Sequence, residues 1–210
     1  MLFDQQGNFK IQQLFSYPSK DYQKLKKEAL KCHRCQLREG ANGVVMGEGD
    51  INNNIMLIGE GPGANEDRLG RPFVGRAGKL MDKILAAVDL KREDLYITNV
   101  IKCRPPGNRA PHQNEFEACV SILRAEIELV QPKVIVTLGS TATKFLIDPE
   151  DSISKVRGKW FKRGDIFFLP TFHPAYLLRN ENMKKYSWHD FKLIKKAADR
   201  IKELSNSGEI

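Results

Sequence analysis

The chain has 210 residues, 41% hydrophobic and 29% charged, a size and balance that suit one globular domain and argue against a second independent core. It contains no apolar run long enough to span a bilayer, and its start, Met-Leu-Phe-Asp-Gln-Gln-Gly-Asn, has neither the basic nor the apolar part of a signal peptide, so a cytoplasmic protein without a membrane partner is expected. The 34 Lys and Arg outnumber the 26 Asp and Glu, and the resulting formal charge of +8 favours a polyanionic partner.

In chain order, residues 1–18 show no clear period and read as a loosely ordered extension to a single domain over 19–210. Ser19 is the expected N-cap of a helix from about 20 to 31, where Tyr22, Leu25, Ala29 and Leu30 share one face, and that helix delivers Cys32. Four short, mostly β-branched runs follow, at 55–58, 95–101, 134–138 and 166–169, with amphipathic segments at 77–89, 113–130, 140–147 and 187–204 between and after them. That alternation predicts an α/β fold whose sheet is covered on both faces. Basic residues gather at Lys155, Arg157, Lys159, Lys162 and Arg163 and again at Arg179, Lys184 and Lys185, with Trp160, Phe161 and Tyr176 interleaved, a pattern suited to phosphates and stacked bases.

The unusual residues fall at the ends of the expected strands. The first ends in Gly59-Glu-Gly-Pro-Gly, the second carries Asn99 and runs to Cys103-Arg-Pro-Pro-Gly-Asn, the third ends in Leu138-Gly-Ser140, and the fourth in Phe172-His-Pro-Ala-Tyr176. In open α/β sheets, ligands bind beyond the carboxyl ends of the strands. Gly59-x-Gly61-x-x-Ala64 fits the loose dinucleotide fingerprint, but Pro62, Asn65-Glu-Asp and Pro72 are read as keeping the chain irregular for about a dozen residues where that fingerprint requires a helix at once. A phosphate-binding loop fails too, since Leu80 follows Gly78-Lys79 and Phe73 stands where a Gly is needed.

Cys32 and Cys35 form a Cys-x2-Cys pair, and Cys103 and Cys119 lie further on. Four thiols are sufficient for a tetrahedral site, and their spacing leaves zinc, an iron-sulfur cluster, a redox pair and plain buried cysteines open. Neighbouring His33, Arg34, Arg38, Lys102 and Arg104 are expected to favour thiolates.

Three stretches, Gly59 to Gly78, Thr98 to Arg109 and His173 to Asn180, together resemble the family-four uracil-DNA glycosylases, the iron-sulfur type of bacteria and archaea, and the likeness covers about residues 25–204. It implies a three-layer sandwich around a central four-stranded parallel sheet, a 4Fe-4S cluster on Cys32, Cys35, Cys103 and Cys119, and a monomer acting on uracil-containing DNA. Phe73 matches the family's base-stacking position. Asn99 offers a donor and an acceptor to the uracil edge, where cytosine presents the reverse pattern. Uracil-contacting positions match Gly59, Glu60, Gly61 and His173, whose N–H groups would meet charge developing on the leaving base. Glu60, Glu66 and Asp67 are the carboxylates considered for positioning water; by resemblance Glu60 comes first, Glu66 being set against a thymine methyl. Pro174 to Leu178 would then either wedge into the duplex, with Arg179 on a phosphate, or, at Leu177 and Leu178, begin the packing face of the last helix.

Two other readings compete. A variant that is trapped covalently on its DNA carries an inserted basic loop, which is missing between Arg104 and Pro111. A non-catalytic, cluster-bearing DNA-binding subunit would not require Glu60, Phe73, Asn99 and His173 together.

Overall fold

The computed structural model describes residues 21–147 and 152–208, together with Gln6. The expected 1–18 extension, apart from Gln6, and the expected cap Ser19 lie outside the described residues. The first helix, α1 (Tyr22–Ala29), is shorter than the periodicity suggests and is capped by Asp21, whose carboxylate accepts from the amides of Gln23 at 2.7 Å and Lys24 at 3.3 Å. It is followed by α2 (Leu37–Gly40) and the two-residue strand β1 (Glu48–Gly49).

The four expected strands all form, as β2 (Ile55–Gly59), β3 (Tyr96–Asn99), β4 (Val134–Leu138) and β6 (Ile166–Thr171). They lie in the order β3-β2-β4-β6 and run parallel. Sequence patterning misses the edges: β1 pairs antiparallel outside β3, and β5 (Phe161–Arg163) does the same outside β6, making six strands. Edge strands of two and three residues carry too little periodicity to be read, and their shortness limits pairing with other chains.

Every residue of β2, β3 and β4 is buried, as a sheet covered on both faces requires. Met56, Ile58, Ile135 and Phe168 turn to one face and pack with α1 and with α5 (Gln113–Val130). Leu57, Ile97, Val136 and Leu169 turn to the other, where α4 (Arg76–Ala86), α8 (Pro174–Leu177) and α9 (Lys184–Asn206) cover them. Helix α5 starts where the sequence places it, because Glu115 accepts from the His112 amide at 2.8 Å and from Arg109.

The connections also hold α3 (Ala64–Leu69), α6 (Ser140–Leu146) and α7 (Ile153–Val156). Helix α3 corrects the expectation of an irregular stretch after Gly61. Glu66 and Asp67 stand in its first turn, where the helix dipole favours acids, and Gly70 at φ 67° ends it.

A candidate base-binding site at the carboxyl edge of the sheet

Beyond the carboxyl ends of the parallel strands lies a cleft of about 530 Å³. It gathers Glu60, Gly61, Glu66, Phe73, Asn99 and His173, which come from three stretches of sequence. Of the expected base-contacting residues only Gly59 is absent from its wall, and its lack of a side chain is what lets the wall form. A Cβ on Gly59 would stand 2.4 Å from Cζ of Phe73 and 2.6 Å from Oδ1 of Asn99.

Asn99 ends β3, with its Cα in register with Gly59. It is 2% exposed, and its Oδ1 is buried without a hydrogen-bond partner. An unpaired buried carbonyl costs about 1–3 kcal/mol, which makes this atom a waiting acceptor at the wall of a cleft.

Phe73 is held in a left-handed backbone at φ 53°, a region costly for a large side chain. Opposite charges fix it from two sides. Glu66 Oε1 accepts from the amides of Val74 at 3.0 Å and Gly75 at 2.7 Å, while Arg92 donates to the Phe73 carbonyl at 3.0 Å and to the Pro72 carbonyl. Arg92 is itself held by Glu48, at 2.7 Å, and Asp82. Gly78 permits the fit, since a Cβ there would lie 1.7 Å from the Phe73 carbonyl oxygen. The Phe73 ring faces the His173 ring at a centroid distance of 5.7 Å and a tilt of 31°.

His173 follows β6 and caps α8: its Nδ1 accepts from the Ala175 amide at 3.1 Å. Burial, with a smaller effect from Arg179, holds its pKa down to about 4, against an opposing pull from Glu66. The ring is therefore neutral at pH 7, and because Nδ1 accepts, the proton sits on Nε2. Gly139, at φ 91°, allows the close packing of His173, as a Cβ there would be 2.8 Å from that of the histidine.

The three carboxylates separate in this arrangement. Glu60 lines the cleft and accepts from the Thr141 hydroxyl, a partner on α6 that sequence reading missed although it had marked the Leu138-Gly-Ser140 strand end. Glu66 also lines the cleft, with one oxygen committed to the Phe73 loop. Asp67 turns away, is buried, and accepts from the backbone and side chain of Asn42 at 2.9 and 2.8 Å, so it is a structural anchor.

Two further expectations change. Leu177 is fully buried in the core, so the stretch from Pro174 to Leu178 cannot act as an apolar wedge as a whole. Arg157 leaves the expected phosphate-binding group, since it donates to both oxygens of buried Asp190, one at 2.9 Å, and to the Tyr186 carbonyl at 2.7 Å. Arg179 does line the cleft.

The four cysteines line a second, smaller cavity between residues 32–38, α5 and the chain leaving β3. Among the described residues, no three or more His, Cys, Asp or Glu side chains stand together at metal-ligating distance. Burial opposes the expected thiolates: it raises the pKa of Cys35 and pushes those of Cys103 and Cys119 up to about 12, against smaller pulls from Arg38 on Cys103 and Lys102 on Cys119. Lys102 pairs with Glu126 yet still pulls the Cys119 pKa down, and its amide donates to Cys119 Sγ at 3.2 Å, while Arg104 donates to Asn108 at 2.8 Å and Arg34 to Ser121.

Comparison with known proteins identifies the family. Residues 46–197 match the family model described as "Uracil DNA glycosylase superfamily". A type-4 uracil-DNA glycosylase of Sulfurisphaera tokodaii is 44% identical over 185 residues, covering 84% of this chain and 84% of that protein. One of Thermotoga maritima is 50% identical over 72% of this chain and 80% of its own length. A third, of Saccharolobus solfataricus, is 42% identical over 81% and 83% respectively.

Proposed function

The chain belongs to the uracil DNA glycosylase superfamily, and from that premise we propose that it hydrolyses the N-glycosidic bond of deoxyuridine in DNA, releasing uracil and leaving an abasic site. The observation that carries the reading is the buried, unpartnered Oδ1 of Asn99 in the wall of a cleft that also holds Phe73 and His173. Uracil flipped from the DNA stacks on Phe73, and the Asn99 amide accepts from its N3–H and donates to its O4. Cytosine, with an acceptor at N3 and a donor at N4, meets the wrong partners.

When the glycosidic bond breaks, its electron pair stays on uracil N1 and the charge spreads to the ring oxygens. The Nε2–H of neutral His173 and the backbone N–H groups of Gly59 to Gly61 are the donors assigned to that charge. A water molecule adds its oxygen to the deoxyribose C1′ and gives up a proton, which neutralises the released uracil anion. Glu60, oriented by Thr141, positions that water, and Glu66 serves the chemistry through its hold on Phe73. Arg179, in the cleft wall, takes a DNA phosphate.

Cys32, Cys35, Cys103 and Cys119 would hold a 4Fe-4S cluster. The donor set fits, because four soft sulfur ligands from three parts of the chain line one cavity. When bound, the cluster supplies a cross-link and no step of the hydrolysis. Its binding displaces thiol protons.

Incubation with uracil-containing single-stranded DNA, followed by alkali, tests the reading. Cleaved strands with free uracil support it. A covalent protein-DNA adduct would point to the trapping reaction, and intact DNA to a binding subunit.

A further inference from the structure

The Asn99 side chain has no partner for its Oδ1, so the direction of its amide depends on its backbone. That backbone is held by the ladder to β2, where the Val100 amide donates to the Gly59 carbonyl at 2.9 Å, and on its carbonyl side by one buried ammonium. Lys102, 0% exposed, places its Nζ 2.7 Å from the Asn99 carbonyl oxygen, 2.6 Å from Thr98 Oγ1 and 2.5 Å from Glu126 Oε2, which uses its three N–H donors. Glu126, also 0% exposed, takes further hydrogen bonds from Thr98 Oγ1 at 2.9 Å, Tyr96 OH at 3.1 Å and the Gly47 amide at 2.8 Å. The network thus ties β3 to α5 and to the loop before β1.

A buried ion pair is weak evidence for stability, because the cost of desolvating two charges offsets most of their attraction and apolar residues of similar volume often serve as well. What apolar residues cannot do is donate to the Asn99 carbonyl, at the point where β3 has ended and the chain leaves the sheet. We propose that Lys102 and Glu126 are positioning residues for base recognition: the ammonium, aimed by Glu126 and Thr98, fixes the Asn99 backbone and so aims its amide at the base. The inference rests on the reading of Asn99 as the uracil-recognising residue.

A double-mutant cycle tests it. Single-turnover uracil excision from a single-stranded oligonucleotide is measured for the full chain, for Asn99→Ala, for Lys102→Met with Glu126→Gln, and for the three changes combined. The Lys102→Met, Glu126→Gln protein is expected to keep its circular dichroism, metal content and salt-controlled affinity for abasic DNA, and to lose about ten- to a hundredfold in rate, as for a reacting group misplaced by a fraction of an ångström. The combined variant is expected to be no slower than Asn99→Ala alone, because the pair acts through that amide.

If the losses multiply instead, or the charge-pair variant excises at the native rate, the positioning role fails while the Asn99 reading stands. If Asn99→Ala itself excises at the native rate, that reading fails and the inference with it. Should the charge-pair variant not fold, Thr98→Val removes only the hydroxyl between the two charges. It is expected to show a smaller loss with the same lack of additivity, and a native rate in the folded Thr98→Val protein would overturn the proposal.

Discussion

The backbone amide of Ala175 donates to Nδ1 of His173 at 3.1 Å, which leaves the imidazole one place for its proton. The main chain of α8 therefore selects the tautomer that points a donor away from its own helix.

This arrangement has a pH signature. Burial holds the His173 pKa at about 4, below the usual value of 6.5, so the unfolded chain takes up the proton before the folded one. Its contribution to stability is complete above about pH 6.5 and is lost as pH falls towards 4. Denaturant midpoints at pH 7.5 and pH 5 should differ more for the native protein than for His173→Gln; equal differences would show that the histidine titrates normally. His173→Ala should lower single-turnover excision by about a hundred- to a thousandfold with little change in DNA affinity, since its donor acts on charge formed in the transition state.

Asn99→Asp leaves the shape of the side chain intact but removes its donor. An ionised carboxylate only accepts, whereas uracil N3–H and O4 need one acceptor and one donor. Uracil excision should fall on the order of a hundredfold, and discrimination against cytosine should narrow. Alkali cleavage of matched uracil- and cytosine-containing strands measures both.

Gly59→Ala tests the packing of the recognition wall. The new methyl group would stand 2.4 Å from the Phe73 ring and 2.6 Å from the Asn99 amide, so one or both must move. Thermal melting should show a cost of about 1–3 kcal/mol, typical of overpacking. Excision should fall by more than that instability explains, because both displaced groups are assigned to the base in the proposed function; a stable variant with native kinetics would refute the placement.

The cluster assignment predicts a brown protein that carries about four irons. Cys103→Ala should lose iron and melt at a lower temperature, since Cys103 and Cys119 sit in the core beside Phe116 and Val120 and the cluster would tie them to Cys32 and Cys35. Metal analysis after anaerobic purification decides the point, and zinc in place of iron would overturn it. Reduction of the intact protein should leave excision unchanged.

The four parallel strands and α5 were legible because short, β-branched apolar runs set between amphipathic segments and a clear helical period leave few alternatives. The Asn99 and His173 positions were legible as polar residues at strand ends. What escaped was set by distant partners. Asp67 and Glu66 read alike in sequence, yet one is claimed by Asn42 and the other by the amides of Val74 and Gly75. Lys102 read as a counter-ion for cysteine thiolates, and it does favour that of Cys119, but its ammonium is paired with Glu126, 24 residues away on α5. Arg92 carried no local signal at all, since its importance lies in a carbonyl 19 residues earlier.

The left-handed turn at Phe73 bears on how damage is found. A ring gripped through the flanking peptide groups by Glu66 and Arg92 is already in place before DNA arrives. Under the proposed function such a slot need not close around its occupant; it would work as a catch, ready for whichever base swings clear of the helix. Search is then paced by the DNA, by how often a weakly stacked or mispaired nucleotide opens by itself, and strand flexibility becomes a property that the enzyme reads together with the base.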